Sequence, residues 1–269
     1  MTDTAFEWAL ITGASSGIGS ALAAALASRR IAVVLSGRNH ERLASVEAQC
    51  RASAPAISCA ADLGIPDDRK RLAGVVAHAA RHPGRLRFFI HCAGVGDPAA
   101  DFATTAPAAL DEAIAINATA ALDLTQRLLP LLRGSPQSRL LFVGAGIADR
   151  AQPGTGVYGI SKKVLARLFE QMLIDFEHQA DHDLPALALF QPGLVDTAGL
   201  RDHVAKAERC RLPHAAWLEQ RLESGDAILP RQAAKAMAHA LLDLDRDAFH
   251  GQTLRAQEPL SDRASRAQS

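Results

Sequence analysis

The stretch Thr12-Gly13-Ala14-Ser15-Ser16-Gly17-Ile18-Gly19 follows the apolar run Trp8–Thr12 and opens the amphipathic segment Gly17–Arg29. Glycines at this spacing allow a tight turn, let backbone amides approach a pyrophosphate and allow close packing of a helix on a strand. The first N–H groups of a helix are unpaired and attract an anion. The spacing therefore predicts a dinucleotide-binding turn, with a purely structural strand-to-helix turn as the alternative. The candidate binding residues are Gly13, Ser15, Ser16, Gly17, Ile18 and Gly19.

Outward from this turn, short apolar runs alternate with longer amphipathic segments. The predicted strands are Trp8–Thr12, Ala32–Ser36, Ala56–Ala60, Leu86–Cys92, Arg139–Val143, Ala186–Gln191 and Thr253–Ala256. The predicted helices are Gly17–Arg29, His40–Ala52, Asp67–Arg81, Ala108–Leu132, Val157–Gln179, His214–Gly225 and Pro230–Asp243. This alternation predicts one doubly wound α/β domain of the Rossmann type over residues 1–257, with a parallel sheet of about seven strands and helices on both faces. In such folds ligands bind beyond the carboxyl ends of the strands.

The bulk composition excludes several classes of function. Lys plus Arg and Asp plus Glu both total 29, so the net charge is zero and we expect no nucleic-acid or membrane-surface partner. The start Met1-Thr2-Asp3-Thr4 lacks the pattern of a signal peptide, and no apolar run is long enough to span a membrane. We predict no metal site. The four cysteines form no Cys-x-x-Cys pair, which favours reduced thiols in a cytoplasmic protein.

The end of the second predicted strand carries the candidate determinant of cofactor choice, in Leu35-Ser36-Gly37-Arg38-Asn39. An acidic residue there would bind a ribose 2′-hydroxyl, whereas an arginine suits a 2′-phosphate. Arg38, with Asn39 beside it, therefore favours NADP(H) over NAD(H), and a solvated loop arginine is the alternative. After the third strand, Asp62 and Leu63 could meet the adenine edge or could simply form a turn.

A tyrosine and a lysine stand four residues apart in Tyr158-Gly159-Ile160-Ser161-Lys162. On a helix, residues at this spacing share one face. We expect the ammonium of Lys162 to lower the pKa of the Tyr158 phenol. A phenol with a lowered pKa can act as a general acid or base on a carbonyl or an alcohol.

Together these features resemble the short-chain dehydrogenase/reductase family over nearly the whole chain. Thr12-Gly13-x-x-x-Gly17-Ile18-Gly19 matches the glycine motif of the family, and Tyr158-x-x-x-Lys162 matches its catalytic pair. Pro192-Gly193-Leu194-Val195-Asp196-Thr197 matches its Pro-Gly-x-Val-x-Thr motif. The resemblance implies that Tyr158 and Lys162 also contact the cofactor, and that the segment with Pro192, Gly193, Val195 and Thr197 holds the nicotinamide carboxamide.

Asn117 fits the catalytic asparagine of the family, which holds a water connected to the lysine. It lies within an apolar helical stripe of Leu110, Ile114, Ala121, Leu124 and Leu128. A buried amide must find hydrogen-bond partners, so a structural core asparagine is the alternative. The Asn-Asn-Ala-Gly motif of the family reads His91-Cys92-Ala93-Gly94 here. Ala93 and Gly94 keep the close approach to the cofactor, but Cys92 lacks the amide that braces the strand.

The family places a serine about thirteen residues before the tyrosine, and that position is Ala145 in this chain. The neighbouring candidate position, Gly144, lacks a hydroxyl too. Loss of one such donor costs about 10²–10³ in rate. Three interpretations stay open. In the first, the protein is a working reductase in which Thr155 or a substrate hydroxyl replaces the serine as donor and Asp149 orients the substrate. In the second, the protein binds NADP(H) with little catalysis and acts as a sensor or partner subunit. In the third, it catalyses a related dehydration or isomerisation.

The remaining segments carry weaker predictions. Residues 198–229 match the place where the family builds a substrate lid, and their mixed composition suggests a small to medium, partly apolar carbonyl or alcohol substrate. The long helices Ala108–Leu132 and Val157–Gln179 carry more apolar residues than one sheet face can cover, which predicts a homodimer or homotetramer. Residues 258–269 are polar and predicted to form a flexible tail.

Overall fold

The computed structural model describes residues 6–81, 83–179 and 183–256. Its centre is a single parallel sheet with the strand order β3-β2-β1-β4-β5-β6-β7. The strands are β1 (Glu7–Thr12), β2 (Ala32–Gly37), β3 (Ala56–Ala60), β4 (Arg85–His91), β5 (Arg139–Val143), β6 (Ala186–Gln191) and β7 (Thr253–Arg255). The doubly wound α/β fold and its seven parallel strands are thereby confirmed. The predicted tail, residues 258–269, lies outside the described residues.

Helices connect the strands. They are α1 (Gly17–Ser28), α2 (His40–Arg51), α3 (Pro66–Ala79), α4 (Pro107–Ile114), α5 (Ala120–Leu132), α6 (Gly156–His178), α7 (Ala198–Arg209), α8 (Ala215–Glu223), α9 (Pro230–Leu242) and α10 (Arg246–Phe249). Short 3₁₀ helices occupy Phe102–Thr104 and Gly146–Asp149. A π turn, Ala115–Thr119, joins α4 to α5.

Two apolar cores cover the two faces of the sheet. One core packs α1, α2 and α9 against strand residues that include Ile11 and Val33. The other packs α3, α5 and α6 against residues that include Leu10 and Val34. Adjacent residues enter opposite cores because side chains alternate between the faces of a strand. Strands buried on both faces read as continuous apolar runs, which is why the sequence predicted them well.

The carboxyl ends of the strands form one edge of the sheet. The crossovers run in opposite directions on the two sides of β1, because β1 lies between β2 and β4. Thr12 and His91, the last residues of β1 and β4, are register partners at this switch point. Ligands of doubly wound sheets bind at this position.

Two elements differ from the prediction. The helix predicted over Ala108–Leu132 is divided, because at the π turn the N–H of Ala120 bonds five residues back to the carbonyl of Ala115. Helix α7, inside the predicted lid, was not delimited from the sequence because charged residues dominate it. Its apolar face is narrow and consists mainly of the buried Val204 and Ala207. Helix α8 supplies a second helix in the same segment.

Candidate active site

A cavity of about 310 Å³ opens at the switch point of the sheet. Its walls come from the turns after β1, β2, β3 and β4, from the π turn and from the start of α7. Of the predicted cofactor residues, the walls include Gly13, Ser15, Ser16, Gly17, Ile18, Gly19, Arg38, Asp62, Leu63, Ala93, Gly94 and Thr197. Segments far apart in the sequence are thus brought together at one cavity. The other predicted cofactor residues are not among its walls: Asn39, Tyr158, Lys162, Pro192, Gly193 and Val195.

The glycine turn packs closely against the backbone that follows β4. Gly13 has a φ of 67°, and a Cβ there would lie 2.8 Å from the backbone nitrogen of Ala93. Gly17 has a φ of 58°, a conformation that favours glycine. Ser16 precedes α1 without capping the helix through its side chain. The first N–H groups of α1 therefore face the cavity without a side-chain acceptor and suit an anionic phosphate.

The residues after β2 and β3 divide between the cavity and the fold. Arg38 is exposed at the cavity wall. The side chain of Asn39 instead caps α2, where its Oδ1 accepts a 2.8 Å hydrogen bond from the backbone N–H of Arg42. Asp62 forms the turn that was the alternative interpretation, since its Oδ1 accepts from the N–H of Gly64 at 2.9 Å. Asp62 nevertheless also lines the cavity.

Further cavity residues were missed by the sequence reasoning. They are Gly37, Ala61, Cys92, Val95, Ile116 and Gly199. Most are direct neighbours of predicted residues and could have been found by widening each motif by one position. Ile116 could have been found through its place beside Asn117 in the apolar stripe.

Lys162 and Tyr158 extend from α6, as their spacing predicts. The Nζ atom of Lys162 is buried, lies 5.8 Å from the centroid of the Tyr158 ring and donates a 2.8 Å hydrogen bond to the carbonyl of Val143. Burial lowers the pKa of Lys162 to about 8 and raises the pKa of Tyr158 to about 12. The expected lowering of the phenol pKa is therefore wrong for this structure, because loss of water disfavours the charged forms of both groups.

The amide of Asn117 joins three elements. Its Oδ1 accepts from the N–H of Val95 at 2.8 Å, and its Nδ2 donates to the carbonyl of Val95 at 2.8 Å and to Oγ of Ser161 at 2.7 Å. The Ser161 hydroxyl in turn donates to the carbonyl of Tyr158. A Cβ at Gly94 would lie 3.2 Å from Lys162 Nζ and 3.5 Å from Asn117 Oδ1, so these groups meet beside the cavity wall. The protein uses both donors of the amide, as the structural alternative for Asn117 requires.

The end of β4 is braced by a histidine. Thr12 Oγ1 and His91 Nδ1 are 3.1 Å apart, and His91 Nε2 lies 3.1 Å from the carbonyl oxygen of Ile116. The backbone N–H of Ala93 donates to Thr12 Oγ1 at 3.1 Å. Burial first, and then the nearby Lys162 ammonium, lower the pKa of His91 to about 3. Cys92 lacks an amide, but its neighbour His91 supplies the hydrogen bonds that hold this strand end.

The two candidate serine positions lie in different surroundings. A Cβ on Gly144 would lie 3.2 Å from the Leu189 side chain, in the core. Ala145 precedes the 3₁₀ helix Gly146–Asp149, which lies along α6 near Gly159. Ala145 carries a methyl group and Gly144 has no side chain, so neither candidate position offers a hydroxyl.

The two side chains considered as replacements are engaged elsewhere. The Thr155 hydroxyl donates to the carbonyl of Gln152 at 2.9 Å. Asp149 is exposed and pairs with Lys163 at 2.9 Å. Neither contact favours a role in holding a substrate oxygen.

The segment after β6 turns toward the cavity and leads into the residues predicted to form a lid. Pro192 and Gly193, the latter with a φ of 76°, form the turn, and Val195 pairs with Ile228 in an isolated parallel bridge. Oγ1 of Thr197 accepts from the N–H of Leu200 at 3.1 Å and so caps α7. Its hydroxyl proton stays available, so a donor role toward a carboxamide remains compatible with capping.

Two kinds of feature are absent from the part of the chain that the structure describes. No group of three or more His, Cys, Asp or Glu side chains there is arranged to hold a metal ion. No helix among the same residues is long and apolar enough to cross a membrane. All four cysteines, Cys50, Cys59, Cys92 and Cys210, are free.

A doubly wound parallel sheet with a glycine turn at its switch point, beside a tyrosine–lysine pair, defines an oxidoreductase of the Rossmann type. The sequence profile described as short chain dehydrogenase matches residues 7–208. The chain therefore belongs to the short-chain dehydrogenase family.

Individual relatives are distant. A glycine betaine reductase, ATRR, of Emericella nidulans is 30% identical over 57% of this chain and 12% of its own length. The human protein named dehydrogenase/reductase SDR family member 2, mitochondrial, is 28% identical over 70% of this chain and 65% of its own length. The chain thus aligns with less than two thirds of either curated relative. A solved structure of a metagenomic short-chain oxidoreductase in complex with NADP shares 26% sequence identity with this chain and superposes on it with a TM-score of 0.72. The alignment covers 93% of this chain and 97% of the metagenomic protein.

Proposed function

We propose that the protein is an NADP(H)-dependent oxidoreductase that interconverts a carbonyl and an alcohol on a small to medium, partly apolar substrate. The observation that carries the proposal is the meeting of Lys162, Asn117 and Gly94 at the wall of the cavity, with Tyr158 on the same helix as Lys162. The NADP complex of the metagenomic relative supports the choice of cofactor.

The residues of the cavity fit a phosphorylated dinucleotide. The free N–H groups at the start of α1 suit the pyrophosphate, and the exposed guanidinium of Arg38 suits a 2′-phosphate. The Thr197 hydroxyl can donate to the carboxamide of the nicotinamide. When bound, NADPH supplies a hydride to the carbonyl carbon of the substrate.

The proton comes from Tyr158. With a pKa of about 12, the phenol keeps its proton at neutral pH and can donate it to the carbonyl oxygen of the substrate during reduction. The Lys162 ammonium stabilises the phenolate that remains, because opposite charges attract strongly in a dry site. Asn117 fixes the loop at Val95 and, through Ser161, the turn of α6 that carries Tyr158.

Ala145 favours a second candidate function. Without a hydroxyl at this position, the protein could bind NADP(H) with weak or lost catalysis and act as a sensor or partner subunit, or it could catalyse a related dehydration or isomerisation. The intact set of Tyr158, Lys162 and Asn117 favours catalysis, because a binding protein has no need of it. We further propose one domain over residues 1–257 with residues 198–229 as its lid.

The test measures consumption of NADPH with a panel of ketones and aldehydes, and formation of NADPH with the matching alcohols. Wild type should turn over at least one of them. Tyr158→Phe should abolish turnover and leave NADPH affinity, measured by fluorescence, nearly unchanged. Lys162→Met should also be inactive, whereas the matched change of its exposed neighbour, Lys163→Met, should have little effect. If wild type and Tyr158→Phe are equally inert but bind NADPH, the binding function replaces the enzymatic one.

A further inference from the structure

His91 is a buried polar group that touches none of the reacting atoms. It is the last residue of β4 and has no exposed surface. The rings of Phe89 and Phe142 pack edge-on against the imidazole, with centroids 6.3 and 6.4 Å away. This packing fixes the orientation of the ring, so its two nitrogens have fixed directions.

The hydrogen bonds of His91 assign its tautomer. The carbonyl oxygen of Ile116 can only accept, so Nε2 carries the proton and donates to it. In the neutral ring Nδ1 then has no proton and accepts from the hydroxyl of Thr12. Because that hydroxyl has used its proton, its oxygen is the acceptor for the N–H of Ala93. The chain of donors and acceptors is complete, without an unpaired group.

The two nitrogens serve different walls of the cofactor cavity. Through Thr12, Nδ1 holds Ala93 against the glycine turn, where Gly13 approaches Ala93 most closely. Through the carbonyl of Ile116, Nε2 holds the π turn, in which Asn117 directly follows Ile116. Ala93 and Ile116 both line the cavity. One side chain therefore spans from the glycine turn to the π turn that bears Asn117.

We propose that His91 is a positioning residue with two separable roles: its Nδ1 sets the wall that binds the cofactor, and its Nε2 sets the placement of Asn117 beside Lys162. The second role rests on the proposed function, whereas the first concerns binding alone. π turns often occur at functional sites, and the bond from Nε2 anchors this one within the turn itself.

Two substitutions separate the roles, because an asparagine amide reaches the position of Nδ1 and a glutamine amide reaches that of Nε2. His91→Asn keeps an acceptor for Thr12 and loses the bond to Ile116. We expect NADPH affinity close to that of wild type and a kcat about tenfold lower, the effect of one lost buried hydrogen bond. His91→Gln keeps a donor for Ile116 and loses the acceptor for Thr12. We expect NADPH binding about tenfold weaker with kcat at saturation nearly preserved.

Two further variants keep the test decisive. Thr12→Val leaves His91 in place and removes the hydroxyl that connects its Nδ1 to the N–H of Ala93. This variant should reproduce the weaker NADPH binding of His91→Gln. His250→Gln is the matched control, since His250 Nδ1 accepts from the N–H of Leu187 near the opposite end of the strands and a glutamine amide does not reproduce that acceptor. It should lower thermal stability without separating binding from turnover.

Equal changes in NADPH affinity and kcat for His91→Asn and His91→Gln, in proportion to lost thermal stability as in His250→Gln, would overturn the proposal and leave His91 with a packing role. If wild type shows no turnover, the proposed enzymatic function fails. The affinities of His91→Asn, His91→Gln and Thr12→Val for NADPH then still decide the role of Nδ1. Should His91→Asn weaken binding as much as His91→Gln does, that role is wrong.

Discussion

The ammonium of Lys162 lies 5.8 Å from the centre of the Tyr158 ring and is hydrogen-bonded to the end of β5, at the carbonyl of Val143. The sheet therefore holds the cation in place beside the phenol without a direct hydrogen bond between them. Because burial raises the pKa of Tyr158 to about 12 and lowers that of Lys162 to about 8, both groups are protonated near neutral pH. This protonation state is the one that the proposed donation of a proton from Tyr158 to a carbonyl requires.

The first prediction concerns pH. Lys162 is charged below its pKa of about 8 and loses its charge as the pH rises through that value, while Tyr158 keeps its proton. The kcat for reduction should therefore fall above a pH of about 8, because the phenolate formed in the reaction loses its stabilising cation. A pH profile at saturating NADPH measures this. In Lys162→Arg, if it remains active, the fall should move to higher pH because a guanidinium stays charged. An unchanged fall in that variant contradicts the assignment to Lys162.

Arg38 should set the cofactor preference. A guanidinium pairs with a phosphate through charge-assisted hydrogen bonds, so NADPH should bind about tenfold or more tightly than NADH. Arg38→Ala should remove this preference, whereas Arg42→Ala, a change of an exposed arginine at the start of α2, should keep it. Fluorescence titration with both cofactors is the measurement. Equal affinities in wild type would exclude Arg38 as the determinant.

Ala145→Ser should raise kcat on a simple ketone. The new hydroxyl would supply a second donor to the carbonyl oxygen, and such a donor is worth up to about 10²–10³ in rate. Ala148→Ser, in the 3₁₀ helix that follows Ala145, is the control and should change little. Steady-state kinetics on the same ketone compare the two. A lower activity of Ala145→Ser on the preferred substrate would show that the pocket uses this space for the substrate itself.

The protein should form a homodimer or homotetramer. Helix α6 exposes Ile160, Val164 and Ile174, the last at 58% of its surface, along one side. Paired helices across a two-fold axis would cover this side. Light scattering at micromolar concentration should give the mass of a dimer or tetramer, and Ile174→Glu should shift it toward the monomer. Ile65→Glu, a control at an isoleucine that is 50% exposed before α3, should not. A monomer mass for wild type ends the prediction.

Local patterns made most of the fold predictable. The glycine turn, the apolar strands and the four-residue spacing of Tyr158 and Lys162 are properties of neighbouring residues, and the physics of turns, strands and helices acts over the same distances. Helix α7 and the π turn were not predicted, because neither has a clear local pattern. Charges hide the narrow apolar face of α7, and a π turn differs from a helix by the partner of one hydrogen bond.

By itself, the sequence determined the parallel sheet, the dinucleotide turn and the family, because these depend on motifs whose residues are close together along the chain. Only the tertiary structure decided which groups surround the candidate site residues. The contact of His91 with Thr12 spans 79 positions and the hydrogen bond of Lys162 to Val143 spans 19, so neither can be read from spacing. The pKa of Tyr158 likewise depends on how much water the folded chain removes, and this loss of water reversed the direction expected from the lysine alone.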